Sequence, residues 1–214
     1  MNVLVTGATG FLGSRIAEAL ALDDKISGIV AAGRKLDPLH TVESKKLNYQ
    51  LGDLVDAGYV ERLLQQPIDV IVNCASLSSP WGSYEAFHQA NIVSQANLIA
   101  ASKKAGVQRY VYISTPAVYF NFKNRFNVKE SDPLPQKPSN NYAATKLQAE
   151  QLLEKSDLSY ITIRPRALIG RGDTVIFPRL IRSYHEGRLK VVGSGDNVVD
   201  LTAVSNVVHS VKLA

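Results

Sequence analysis

A short apolar run, Asn2 to Thr6, leads straight into Thr6-Gly7-Ala8-Thr9-Gly10-Phe11-Leu12-Gly13, and helical spacing of apolar residues then runs from Phe11 to Leu22. This junction constrains the fold more than any other stretch. A strand passing through a glycine-rich turn into a helix leaves unpaired amides, and the positive end of the helix dipole, where an anion can sit. Gly7 permits the sharp turn out of the strand, Gly10 lets backbone amides approach a pyrophosphate, and Gly13 lets the helix pack closely on the sheet. The donors come from the helix start at Phe11, Leu12 and Gly13. The spacing is Gly-x-x-Gly-x-x-Gly, not the Gly-x-Gly-x-x-Gly of many dinucleotide-binding dehydrogenases.

The same alternation of strand and helix repeats along the chain. Gly28 to Ala32 is a second apolar run, Lys46 to Leu51 a weaker third, and Val70 to Cys74 a fourth. The fourth shows no polar alternation, as expected of a strand covered by helices on both faces. Arg109 to Ser114 and Ser159 to Arg164 read as further strands. Helical spacing marks about Val55 to Gln65, Glu85 to Lys104 with Gly106 as its C-cap, and Tyr142 to Lys155. This order predicts an α/β fold, a Rossmann-type doubly wound parallel sheet. Residues 1–170 would form that domain and residues 171–214 the beginning of a smaller C-terminal substrate lobe, with a strand returning to the sheet near 198–201. Val204 to Ala214 reads as an apolar-faced helix with no glycine cap or polar tail, which implies a chain cut from something longer.

Composition narrows the class. The 214 residues are 45 % hydrophobic and 20 % charged, with one cysteine, which excludes a disordered chain, a collagen-like fibre and a disulfide scaffold. No apolar run approaches the roughly 20 residues needed to cross a bilayer, and the N-terminus does not read as a signal peptide. Lone Cys74, inside an apolar run, reads as a buried thiol in a reducing compartment. A cytoplasmic location with no membrane partner is the expectation. The net charge of +5 comes from scattered Lys and Arg, with no basic helix, so attraction for an anionic ligand is expected and a nucleic-acid partner is not. No metal is expected.

The residues after the second and third strands bear on which dinucleotide binds. An acidic residue after the second strand accepts from the ribose 2′-hydroxyl of NAD. Here the sequence is Ala31-Ala32-Gly33-Arg34-Lys35, and a guanidinium in place of a carboxylate favours the 2′-phosphate of NADP, with NAD as the alternative. Asp53, in Gly52-Asp53-Leu54, is placed to reach the adenine amine; an ordinary turn aspartate is the other reading.

At this point the sequence resembles the extended short-chain dehydrogenase/reductase superfamily, in its NAD(P)-dependent epimerase/dehydratase and 3β-hydroxysteroid dehydrogenase branch. The matching residues are TGATGFLG at Thr6 to Gly13, GD at Gly52-Asp53, YISTPAVY at Tyr112 to Tyr119, YAATK at Tyr142 to Lys146, RPRALIGRGD at Arg164 to Asp173 and VVGSGDNVVDLTAVSNVV at Val191 to Val208. The resemblance implies a Tyr-x-x-x-Lys pair at the centre of the chemistry. The chain contains that pattern twice, at Tyr119/Lys123 and Tyr142/Lys146. The first lies in a Phe- and Asn-rich loop where nothing fixes the two side chains together. The second opens a helix, behind the natural N-caps Ser139, Asn140 and Asn141, and residues four apart there share a face. Tyr142 and Lys146 are therefore the expected pair.

A tyrosine with an ordinary pKa of about 10 is too weak a base at neutral pH, and a neighbouring ammonium favours its phenolate. The resemblance further implies that Lys146 bonds the nicotinamide ribose and that Thr115, at the end of the fifth strand, polarises the substrate oxygen, with Ser114 the weaker candidate and a strand-capping role the structural alternative. It also implies that Ala75 and Ser76 pass beside the cofactor, with Leu54 next to Asp53 near the adenine. Asn91 matches a structural or relay position, Pro165 the carboxamide end, Arg166 and Ala167 the nicotinamide or substrate, and Phe177 with Pro178 the substrate pocket.

Sugar-nucleotide members of the superfamily commonly carry an acidic residue after the second strand, asparagine where Ala167 stands and glycine where Phe120 stands. These departures favour a reductase or dehydrogenase acting on a hydroxyl or ketone of a small molecule, for instance a β-hydroxy or β-keto compound. The alternatives are a sugar-nucleotide epimerase or dehydratase that retains NAD, and a non-catalytic NADP-sensing scaffold. The resemblance also allows a homodimer built on the two helices that include Glu85 to Lys104 and Tyr142 to Lys155.

Overall fold

The structure, a computed structural model, describes residues 1–79, 81–191 and 193–214; Val192, within the Val191 to Val208 motif, lies outside the described residues. Strands β1 (Asn2–Thr6), β2 (Gly28–Gly33), β3 (Leu47–Leu51), β4 (Val70–Asn73), β5 (Arg109–Ile113) and β6 (Tyr160–Ile163) form one parallel sheet in the order β3-β2-β1-β4-β5-β6. Each half of the sheet grows outward from β1, so the chain reverses direction between β1 and β4. That reversal opens a crevice at the carboxyl ends of the two strands.

Helices α1 (Phe11–Ala21), α2 (Ala57–Leu63), α3 (Tyr84–Phe87), α4 (Ser94–Ala105) and α5 (Asn141–Glu154) cover the two faces. One apolar core packs Leu4, Ile71 and Tyr110 against α2, α4 and α5, through Leu63, Leu98 and Leu153. The other packs Val3, Val5, Ile29 and Val111 against Ile16 and Leu20 of α1. Burial on both sides explains why the central strands read as unbroken apolar runs.

Several expected boundaries move. The helix anticipated around Val55 to Gln65 is the shorter α2, because Asp56 caps it, accepting from Gly58 N at 2.8 Å. The helix anticipated from Glu85 to Lys104 is one rod whose middle, His88–Val93, is a π-helix between α3 and α4. It ends as expected at Gly106, which adopts φ +68°. The strand expected near 198–201 is not there. It falls at Thr202–Ala203 (β8) and pairs not with the six-stranded sheet but with Leu168–Ile169 (β7). Pro165 lies between β6 and β7 and has no N–H to give to a ladder, so the chain leaves the main sheet there and starts a second, two-stranded one.

The last described elements are α6 (Phe177–His185) and α7 (Val204–Leu213). Helix α7 returns to the core beside α1, where Val207 and Val211 join Ile16 and Leu20, and Lys212 pairs with Asp23 at 2.9 Å. Helix α6 buries none of its residues. Among the described residues no helix is long and apolar enough to cross a membrane.

Candidate active site

The crevice between β1 and β4 is a cleft of about 760 Å³. Gly7, Gly10, Arg34, Asp53, Leu54, Ala75 and Ser76, all expected there, line it. Gly7 turns the chain out of β1 with φ +66°, and a β-carbon on it would meet Ala75 N at 2.9 Å. A β-carbon on Gly13 would meet Gly7 O at 2.2 Å, so α1 can lie this close to the turn only with glycine at that position. Gly10 differs, since its β-carbon would find only Gly7 O at 3.4 Å, an ordinary contact. Packing therefore does not demand glycine at 10; it leaves bare backbone facing the cleft, at the N-cap of a helix that has no side-chain cap. The amides at the start of α1, those of Phe11, Leu12 and Gly13, are the uncapped donors that a pyrophosphate would take. The cradle fits a dinucleotide.

At one end of the cleft, Arg34 and Lys35 follow β2 and bring two cations to its wall. Asp53 serves as a turn residue, its Oδ1 accepting from Val55 N at 3.0 Å, and also lines the cleft. At the other end, Asn91 projects from the π-helix and holds the loop after β4. Its Oδ1 accepts from Leu77 N at 2.8 Å and Ser76 Oγ at 3.0 Å, and its Nδ2 donates to Leu77 O at 3.3 Å and Thr145 Oγ1 at 3.1 Å. The wider turn of a π-helix commonly occurs at functional sites; here it carries the residue that ties the β4 loop to α5.

Tyr142 sits at the start of α5, whose N-cap Asn140 accepts from Ala143 N at 2.8 Å. Its ring packs against Phe87, with centroids 6.3 Å apart, and the hydroxyls of Thr115 and Ser78 are near enough to its phenol to favour the phenolate. Thr115 also caps the 3₁₀ turn Pro116–Tyr119, accepting from Ala117 N at 3.2 Å, so the capping and site readings of this residue both hold. Its neighbour Ser114 buries a hydroxyl with no partner among the described residues. One turn below Tyr142, Lys146 is 1 % exposed. Its Nζ donates to Ile113 O at 2.6 Å and stands 4.1 Å from the centre of the Tyr112 ring.

The electrostatics depart from the sequence expectation. Burial raises the Tyr142 phenol above its ordinary value, and the hydroxyls of Thr115 and Ser78 only partly offset that. Burial also pulls Lys146 from 10.5 down to about 7, against the opposing pull of Glu150. In the chain alone, then, the ammonium is not what acts on the phenol; the hydroxyls are.

Pro165 and Ala167 are half-buried on the connection from β6 to β7, and Ala167 O accepts from Thr202 N at 2.9 Å. Arg166 is exposed. Phe177, expected in a substrate pocket, opens α6 and is 44 % exposed, away from the cleft lining. Four more side chains belong to this region: Ser78 and Glu150, which sequence reasoning passed over, Arg164, which it met only as the start of a motif, and Tyr119, which it set aside as the weaker Tyr-x-x-x-Lys candidate. Arg164 grips Glu150 from Nε to Oε1 at 3.0 Å and from its terminal nitrogen to Oε2 at 2.5 Å, and donates to the Tyr119 phenol. Tyr119 is thus fixed by Arg164 rather than by Lys123.

A Rossmann-type domain with its phosphate cradle at the β1–β4 reversal is a dinucleotide-binding architecture. The chain belongs to the NAD dependent epimerase/dehydratase family, whose family model matches residues 3–214. It is 35 % identical to a 2-alkyl-3-oxoalkanoate reductase of Stenotrophomonas maltophilia, over 96 % of this chain and 62 % of that protein. It is 30 % identical to the human sterol-4-alpha-carboxylate 3-dehydrogenase (decarboxylating), over 98 % of this chain and 56 % of that protein. Among solved structures, the Bordetella bronchiseptica enzyme WbmH in complex with NAD+ superposes with a TM-score of 0.88 at 26 % identity, over 100 % of this chain and 71 % of that one. The chain spans less than two thirds of the length of these two curated relatives.

Proposed function

We propose that this chain binds a nicotinamide dinucleotide in the β1–β4 cleft, NADP in preference to NAD, and carries the catalytic residues of an oxidoreductase acting on a hydroxyl or ketone. The observation that carries this reading is the meeting of Tyr142, Thr115 and buried Lys146 at the carboxyl end of β5, beside a cleft whose glycine cradle fits a pyrophosphate. Arg34 supports the NADP preference, since a guanidinium matches a 2′-phosphate and no carboxylate stands there to repel it. The resemblance to a 3-oxoalkanoate reductase and a sterol 3-dehydrogenase supports a β-keto or β-hydroxy substrate.

The nicotinamide, when bound, supplies or accepts the hydride. The protein holds the proton. Tyr142 gives its phenolic proton to the carbonyl oxygen in reduction, or takes the hydroxyl proton in oxidation. Thr115, whose hydroxyl acts on the same phenol, would orient the substrate oxygen against it. Lys146 would hold the ribose hydroxyls and, as its ammonium, would make the phenolate less costly. Ala75 and Ser76 would form the wall beside the nicotinamide and Pro165 would hold its carboxamide end, while Arg166, Ala167 and Phe177 would face the substrate.

A sugar-nucleotide epimerase that retains NAD is the second reading, and its support is the shared fold of the NAD+-bound Bordetella enzyme. One titration separates the two. Nicotinamide fluorescence should show tighter binding of NADPH than NADH, with the preference abolished in Arg34→Ala, and the protein should then turn over a carbonyl substrate. A preference for NADH, or protein that purifies with NAD bound, would overturn the reductase reading.

A further inference from the structure

Glu150 lies on α5 one turn beyond Lys146, so the two share a face, and both are buried beneath the cleft. A buried carboxylate needs a partner. It has one in Arg164, which engages both carboxylate oxygens and is itself anchored to Tyr119. Tyr119 in turn donates to Glu130 O at 3.2 Å, while Arg125 donates to Tyr119 O at 3.2 Å and pairs with Asp132 at 3.0 Å. The carboxylate is thus held from three elements: β5's following turn, α5 and the end of β6. Its oxygens are committed, and its charge reaches Lys146 through the protein interior, where such interactions are stronger than in water.

We propose that Glu150, clamped by Arg164, is the positioning residue that keeps Lys146 in its ammonium form for the reaction. The groups around Lys146 are Cys74 just after β4, Tyr112 from β5, Tyr142 and Glu150 one turn to either side on its own helix, and the Arg164 guanidinium behind Glu150. Burial pushes the Cys74 thiol up to about 12 and the Tyr112 and Tyr142 phenols above their usual value, so all three are neutral at physiological pH. Glu150 is the one carboxylate among them. Without it, burial dominates at Lys146, and the amine form gains at neutral pH. The inference rests on the oxidoreductase reading only for what the ammonium is used for; the charge relation itself belongs to the chain.

Lysine side-chain NMR of the full chain tests it without cofactor or substrate. The ¹³Cε resonance of Lys146, identified by its loss in Lys146→Arg, is followed from pH 5 to 11. In the unaltered protein it should titrate near 7. Glu150→Gln should lower that midpoint by about one unit, a tenfold loss of proton affinity, whereas Glu150→Asp, which keeps the charge, should restore most of it. If Glu150→Gln does not fold, the double variant Glu150→Gln/Arg164→Gln, which leaves no guanidinium without its carboxylate, should move the midpoint in the same direction by a smaller amount. A Lys146 midpoint unchanged by loss of the carboxylate, or moved as far by Asp as by Gln, would overturn the proposal. Those outcomes leave the NADPH titration untouched, so the failure of this inference and of the oxidoreductase reading are separately visible.

Discussion

Lys146 Nζ lies 2.6 Å from the carbonyl oxygen of Ile113, the last residue of β5, so the amine is tied to the edge of the strand that leads to Thr115. A single neutral carbonyl and an aromatic face do not replace the hydration of an ammonium, which is why its pKa falls from 10.5 to about 7. This has a consequence for stability. With the folded value below the unfolded one, the unfolded chain binds more protons between them, so stability rises as pH climbs through 7 and falls again as pH is lowered through it. The contribution is ~2 kcal/mol between pH 7 and 9. Above 9 the Cys74 thiol, raised to about 12 by burial, acts in the opposite sense and closes the window. Denaturant unfolding of the chain alone at pH 7 and 9 should show the rise, and Lys146→Met should be more stable at pH 7 and lack most of it. Parallel pH dependence in the two proteins would contradict this origin.

The glycine cradle predicts two opposite outcomes from the same substitution. Gly13→Ala drives a β-carbon to 2.2 Å from Gly7 O, so backbone must move, and a loss of about 3 kcal/mol or more is expected together with loss of dinucleotide binding. Gly10→Ala meets nothing closer than 3.4 Å and keeps an allowed backbone at φ −111°, so stability should be unchanged or slightly higher. Its methyl group would still stand where the pyrophosphate approaches, and NADPH affinity should drop at least tenfold. Equal melting temperatures for the two variants would be inconsistent with this division of labour.

Most of what the cradle needs is written locally, which explains why it was legible in the sequence. The turn, the helix start and the alternation of strand with helix each depend on neighbours within a few residues, and the doubly wound sheet follows from them. The parts that were not legible depend on contacts distant in sequence. The β7–β8 pair joins residues 168–169 to 202–203, and no short pattern announces a two-residue strand. The π-helix at His88–Val93 reads like any amphipathic helix until Asn91 is seen bonded to Leu77 and Thr145. The pairing of Arg164 with Glu150 crosses from β6 to α5, and only that pairing explains why Tyr119 is buried.

Asn91 touches neither the glycine cradle nor Tyr142, yet the wall of the cleft depends on it. Asn91→Leu would strip partners from the Leu77 amide, the Leu77 carbonyl, Ser76 Oγ and Thr145 Oγ1. Loss of about 1–3 kcal/mol is expected, chiefly from the Leu77 amide, since Ser76 Oγ still reaches Leu77 O and Thr145 Oγ1 still donates to Asn141 O. Because Ser76 and Leu77 line the cleft, dinucleotide affinity should fall in a sample that remains folded at low temperature. Unaltered NADPH affinity in that sample would show that the loop keeps its shape without the clamp.

The two Tyr-x-x-x-Lys patterns separate most cleanly by paired substitutions. Tyr119→Phe removes a hydroxyl that bonds Glu130 O and receives Arg164, so it should cost about 1–2 kcal/mol of stability while kcat stays within about twofold. Tyr142→Phe removes a phenol that burial makes unwilling to ionise and that only Thr115 and Ser78 engage. It should leave the melting temperature and NADPH affinity close to those of the unaltered protein. Turnover of an accepted carbonyl substrate should fall about 10²–10⁴-fold, the range for loss of a positioned general acid. Thermal melts, NADPH titrations and steady-state rates on the same two variants give all three readouts. The reverse pattern, with activity lost at Tyr119 and kept at Tyr142, would move the chemistry to the first pair and with it the site to the other side of Arg164.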